Sequence, residues 1–144
     1  MKRIFYNTIF AIQALLLFPG CKPSPPQVSY VTDDGAWCWF SDPRAIYDGD
    51  KIITGWVTSD GTIEAAALSL QTQEIERKVL YPKLQFDDHN NPAFVKTSEG
   101  QIIAAYTTHS GKDGFFINST ANSGDIGSFG KAEKIILLDS MELE

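Results

Sequence analysis

The feature that most constrains the fold is an internal repeat. Ile52-Ile53-Thr54-Gly55-Trp56-Val57-Thr58 aligns with Ile102-Ile103-Ala104-Ala105-Tyr106-Thr107-Thr108, fifty positions later, and Pro43 aligns with Pro92. Each unit reads as a short strand after the proline, a turn, a longer apolar strand, another turn and a third strand. The turn signals are Ser59-Asp60-Gly61, Ser98-Glu99-Gly100 and Gly111-Lys112-Asp113-Gly114. Strands are expected over Lys51–Thr58, Thr62–Leu70, Glu74–Tyr81, Ala93–Thr97, Gln101–Thr108, Phe115–Thr120 and Ala132–Leu138. Paired apolar residues at Ile52/Ile53, Ile102/Ile103 and Phe115/Phe116 leave neither face of these strands polar. A period near fifty with about four strands per unit is the pattern of β-propeller blades, which stack face to face. The fold class is therefore all-β, with about two four-stranded antiparallel blades. Propellers have roughly four to eight blades, so the chain reads as the N-terminal part of a longer protein or as a prematurely terminated reading frame.

The first twenty residues stand apart. Lys2 and Arg3 precede a mostly apolar run, Ile9 to Phe18, with signal-peptide flanks. Gly20-Cys21 then resembles a bacterial lipobox, although Phe18-Pro19 replaces its usual residues. Residues 1–20 are read as a lipoprotein-type signal peptide, Cys21 as the lipidated terminus, 21–32 as a Pro-rich linker, and 33–144 as a partial propeller. The expected location is the cell envelope, with the membrane touched through the lipid anchor alone. Cys38 then has no disulfide partner. It is expected to be buried, and the flanking Trp37 and Trp39 are expected in the core. The formal charge is −6, and loss of Lys2 and Arg3 makes it two units more negative. That excludes nucleic acid as a natural partner and requires any anionic ligand to be held by local cations.

The densest chemistry is in Asp87-Asp88-His89-Asn90-Asn91-Pro92-Ala93. It reads as a loop feeding a strand, a common place for functional side chains. Its Asp and Asn side chains also suit backbone capping. The chain has two histidines, His89 and His109. His89 precedes one strand of a hairpin and His109 follows the other, so antiparallel pairing brings both to one rim. Arg44 follows Pro43 as Ala93 follows Pro92, which puts it on the same rim, either facing an anion or paired with Asp42 or Asp48. Adjacent ligands on one short loop are sterically awkward for a metal, so no metal and no cofactor is expected. Ser123-Gly124-Asp125-Ile126-Gly127-Ser128-Phe129 resembles a degenerate Asp-box, a turn recurrent in sialidase-type propellers.

Three stretches carry a broader resemblance, over about residues 33–130: Gly35-Ala36-Trp37-Cys38-Trp39-Phe40-Ser41-Asp42-Pro43-Arg44-Ala45, the His89 loop, and Tyr106-Thr107-Thr108-His109. They resemble the opening blades of the BNR-repeat-containing family, which is similar to the seven-bladed polysaccharide lyases acting on ulvan. The resemblance implies β-elimination at a uronic acid. It implies His89 and His109 in proton transfer, and Arg44, Asn90 and Asn91 against an acidic polysaccharide or oligosaccharide. In those lyases a catalytic tyrosine and an arginine come from later blades, for which this sequence has no counterpart. Tyr106 and Tyr47 lie in strands and are not assigned that role. Two other functions fit parts of the pattern. A non-catalytic carbohydrate-binding surface lipoprotein needs only rim aromatics and polar loops. A sialidase-like glycoside hydrolase would need an arginine cluster, of which Arg44 alone is suitably placed.

Metabolic labelling with a palmitate analogue tests the N-terminal reading. Wild type is expected to incorporate label and Cys21→Ser to lose it; equal labelling refutes the lipobox.

Overall fold

The computed structural model describes residues 30–36, 38, 39, 44–109 and 114–136. The chain forms two four-stranded antiparallel sheets, each in simple meander order. The first holds β1 (Ala45–Asp48), β2 (Lys51–Val57), β3 (Ile63–Ser69) and β4 (Ile75–Tyr81). The second holds β5 (Ala93–Lys96), β6 (Ile102–Thr107), β7 (Phe115–Ser119) and β8 (Glu133–Ile135). Every strand inferred from the sequence is present, trimmed by a residue or two at most ends. The last strand is three residues long, and Leu137 and Leu138 lie outside the described residues. The Asp-box-like stretch forms a single 3-10 turn, Ile126–Ser128, with Ile126 and Phe129 buried.

Period-two alternation sorts the side chains. In β2 and β3, Ile53, Val57, Ile63, Ala65 and Ala67 share one face, and Leu80 of β4 joins them. In the second sheet, Ile102, Ala104, Tyr106 and Phe116 point back at that face. The core is thus one apolar layer between two stacked sheets. Its polar members are accounted for: the Tyr106 hydroxyl donates to Asn118 Oδ1 at 2.5 Å, and Asn118 Nδ2 donates to the Gly130 carbonyl at 2.9 Å. The opposite face of the second sheet carries Val95, Ile103, Ala105, Phe115, Ile117 and Ile135 and is partly exposed. By the fifty-residue register, Ile103 and Ala105 correspond to Ile53 and Gly55, so this face repeats the one by which the first sheet binds the second.

The sheets come closest at Gly55. A Cβ there would lie 2.5 Å from the Glu64 carbonyl oxygen, 2.6 Å from Pro92 Cγ and 2.8 Å from Phe94 Cζ. Pro92 is fully buried against this notch. Lys96 of β5 pairs with Asp48 of β1, a second tie between the sheets. At the other end of the first sheet, Gly61 turns β2 into β3 with φ +84°. Its carbonyl accepts the Leu84 N–H at 2.9 Å, and the start of the next loop lies directly on it, with Gln85 O 2.6 Å from where a Cβ would stand.

Gly55→Ala should lower the unfolding free energy by about 1–3 kcal/mol, the range for overpacking a filled site. The reverse change at the equivalent position of the second sheet, Ala105→Gly, should cost less than about 1 kcal/mol. Urea titrations of both variants check this; a neutral Gly55→Ala would contradict the close approach.

Candidate functional site

His89 sits on the loop between β4 and β5, and His109 just after β6. The hairpin pairs Ala93 with Ala105, so the residues before β5 and after β6 meet at one edge of the second sheet. The two imidazoles are 4.4 Å apart between centroids, with planes at 67°, an edge-to-face contact.

Asp87 joins them. Its Oδ1 accepts the His89 backbone N–H at 2.9 Å, a local turn bond that sets the loop. The same oxygen lies 2.8 Å from His89 Nδ1, and Oδ2 lies 2.9 Å from His109 Nδ1. Asp88 Oδ1 is also 3.0 Å from His89 Nδ1. A carboxylate only accepts, so both Nδ1 atoms carry hydrogen. In each neutral ring Nε2 is then the basic nitrogen, which directs proton exchange to the side away from Asp87. Both rings are half-exposed, within reach of a ligand. Burial acts to raise the Asp87 pKa. It is outweighed by hydrogen bonds from the His89 backbone, the His89 ring and the His109 ring, so the carboxyl is held below its ordinary 3.8.

Gln85 locks the arrangement from behind. Its Oε1 accepts the His109 backbone N–H at 2.7 Å and Asn90 Nδ2 at 3.2 Å. Neither Asp87 nor Gln85 was assigned a role from sequence. The Asp two residues before His89 was visible as a backbone cap, which it is. Its second oxygen reaching His109 had no sequence signal, and neither had Gln85.

Two expected binding residues are placed elsewhere. Asn90 is 1% exposed and Asn91 is 8% exposed, so both are structural parts of the wall behind the histidines. Asn91 Oδ1 accepts the Val57 N–H at 3.2 Å and its Nδ2 donates to the Asp88 carbonyl at 3.0 Å. The Asn91 carboxamide is thus consumed by backbone groups, and Asn90 Nδ2 by Gln85, while Asn90 Oδ1 is buried without a hydrogen-bond partner among the described residues. Arg44 is exposed on the same rim. Its Nη1 donates to the Asn91 carbonyl at 2.8 Å, while Asp48 is taken by Lys96. Asp42 and Cys21 lie outside the described residues.

Cys38 is buried as expected, but Trp39 is not core: it is 85% exposed, and Trp37 lies outside the described residues. Phe86, beside Asp87, is 81% exposed. Phe86 is thus an exposed aromatic of the loop itself, and Trp39 is another, next to Cys38, whose sulfur lies within 4.8 Å of ligand atoms of Asp88 and His89. Among the described residues, two sets of three side chains could hold a metal ion, Asp87/His89/His109 and Cys38/Asp88/His89. The first set has no adjacent pair and draws His109 from outside the loop, so the steric objection to adjacent loop ligands does not apply to it; the second keeps the neighbours Asp88 and His89. Tyr106 is buried, its hydroxyl bound to Asn118, and burial followed by its neighbour Tyr81 raises its pKa well above 10. It cannot serve as a proton-transfer group on the rim.

No protein-family model matches the chain, and no curated protein matches it. Among solved structures it is similar to a polysaccharide lyase, the PL25 ulvan lyase bound to -[GlcA(1-4)Rha3S]-, with a TM-score of 0.50 and 16% identity. The alignment covers 75% of this chain and 30% of that one, so the chain spans under a third of the enzyme's length. At that identity the likeness is one of fold: the two meander sheets match propeller-like blades. The BNR-repeat assignment rests on the sequence motifs alone.

The Asp87 bonds exist only while its carboxyl is ionised, and its folded pKa lies below the unfolded one. Their stabilisation is therefore present above about pH 4 and lost as pH falls through the folded value. The stability difference between wild type and Asp87→Asn should shrink as pH falls below about 3.8, as the carboxyl takes up its proton. A difference undiminished at about pH 2 would contradict the bridge.

Proposed function

We propose that the chain is carbohydrate-active, that it takes a uronate-containing polysaccharide at the His89–His109 pair, and that these imidazoles supply proton transfer for β-elimination. The observation that carries this reading is the shared Asp87 carboxylate. It holds two half-exposed histidines in contact, with both Nε2 atoms as their basic sites, on one rim of two propeller-like blades. The fold likeness to a polysaccharide lyase and the exposed aromatics Phe86 and Trp39 support a sugar as the ligand.

β-Elimination needs the proton next to the uronate carboxylate removed, the charge that develops there stabilised, and the departing glycosidic oxygen protonated. A neutral imidazole can accept the first proton at Nε2, and Asp87 stabilises the imidazolium that results. A second imidazole, edge-on to it, can hydrogen-bond the carboxylate or hand a proton to the leaving oxygen. Arg44, held toward the rim by Asn91, brings a fixed positive charge for carboxylate or sulfate. Asn90 and Asn91 act through position, by fixing the loop. The catalytic tyrosine and the further arginine that the resemblance draws from later blades are not supplied by the described residues, so binding is expected to be strong relative to turnover in the chain alone.

The test is to incubate the chain with uronate-containing polysaccharide and follow both binding and the ultraviolet absorbance of an unsaturated product. His89→Ala should lower the rate by about 10²–10⁴-fold, the usual contribution of a general acid or base. His89→Asn should keep binding and lose turnover. Near-normal turnover in His89→Asn would remove His89 from proton transfer. Binding by wild type without any product would make the chain a binding module.

A further inference from the structure

Beside the histidine pair lies a cavity of about 540 Å³, within the range for small-molecule sites and roomy enough for a single sugar ring. Asp87 and Asp88 form the wall it shares with the histidines, and Phe86, Ser59, Asp33 and Asp34 form much of the rest. Two properties define what it can accept. First, Phe86 is 81% exposed on its rim, an aromatic surface of the kind that stacks on the C–H face of a sugar. Second, among the described residues its lining holds four carboxylates and no lysine, arginine or histidine. Asp34 is fixed there, its Oδ1 accepting the Ser59 N–H at 2.8 Å and its Oδ2 the Ser59 hydroxyl at 3.2 Å. Carboxylate oxygens retain lone pairs for further O–H donors, so the wall is well suited to sugar hydroxyls. It is badly suited to a sulfate or a second uronate, whose charge would meet like charges with no cation between them.

From this we infer that the cavity is a subsite for an uncharged sugar residue, adjoining the uronate held at His89 and His109. The inference rests on the function proposed above and narrows it. The rim divides into a side that tolerates a negative charge, with the two imidazoles and Arg44, and a side that rejects it. The preferred glycan is then one in which the uronate is followed by an unsulfated sugar, in contrast to the Rha3S in the ligand of the similar lyase. Asp87 belongs to both sides: it orients the histidines with its two oxygens and bounds the neutral subsite.

The experiment is calorimetric titration of the full chain with two probes, the tetrasaccharide of the repeat -[GlcA(1-4)Rha3S]- and its chemically desulfated counterpart. The desulfated probe is expected to bind at least about tenfold more tightly, since like-charge contacts cost more than the 1.4 kcal/mol that a factor of ten represents. Asp33→Asn, which removes one charge from the wall, should narrow that ratio several-fold, as should raising the salt concentration. Phe86→Ala, a change at an exposed position, should weaken the desulfated probe and leave the fold intact. Equal or tighter binding of the sulfated probe overturns the inference and leaves the proposed function standing. So does unchanged affinity of Phe86→Ala for the desulfated probe. Failure to bind either probe removes the proposed function and the subsite with it.

Discussion

The arrangement of the rim depends on how closely two sheets approach at one residue without a side chain. Gly55 lets Pro92 sink into the first sheet, and Pro92 is the residue that ends the histidine loop. With the proline seated, Asn91 reaches the Val57 N–H and Arg44 reaches the Asn91 carbonyl. Three contacts of different kinds, one steric and two polar, thus clip the end of the loop to the neighbouring blade. Gly61 carries its beginning through the Leu84 N–H bond. A loop held at both ends by another sheet has little freedom between them, and Asp87 and His89 lie in that interval.

Polar groups inside this loop are therefore of two sorts. Asn90, Asn91 and Gln85 are buried or half-buried and bond to protein, satisfying groups that a tight Asn-Pro turn leaves open. Asp87, His89 and His109 bond to one another at the surface and leave ring atoms directed outward. The buried set gives the surface set its geometry. A change in the first would act on chemistry indirectly, through the spacing of the imidazoles, and a change in the second directly.

Much of the fold was legible because the blades are local. The hairpins β1–β2, β2–β3 and β5–β6 close through short turns whose Gly, Ser and Asp residues are visible in sequence, so much of the meander order and even the meeting of His89 with His109 follow from hairpin geometry. The repeat supplied the stacking: Ile53 and Ile103 occupy the same register position, one covered by the second sheet and one partly exposed. What was not legible lies between elements. Burial of Asn90 and Asn91 depends on the depth of Pro92, a tertiary fact. Trp39 looked like core because tryptophan usually is, and its exposure depends on a segment with no strand pattern to orient it. The role of Asp87 required knowing where its second oxygen points, which no spacing rule encodes.

The central claim is that one ionised carboxylate holds both imidazoles through Nδ1. Long-range proton–nitrogen NMR of the two histidines tests it most directly. The account predicts Nδ1–H tautomers for both neutral rings, with Overhauser contacts between them, and collapse of both signatures in Asp87→Asn. Nε2–H tautomers in the wild type, or no contact between the rings, would contradict it.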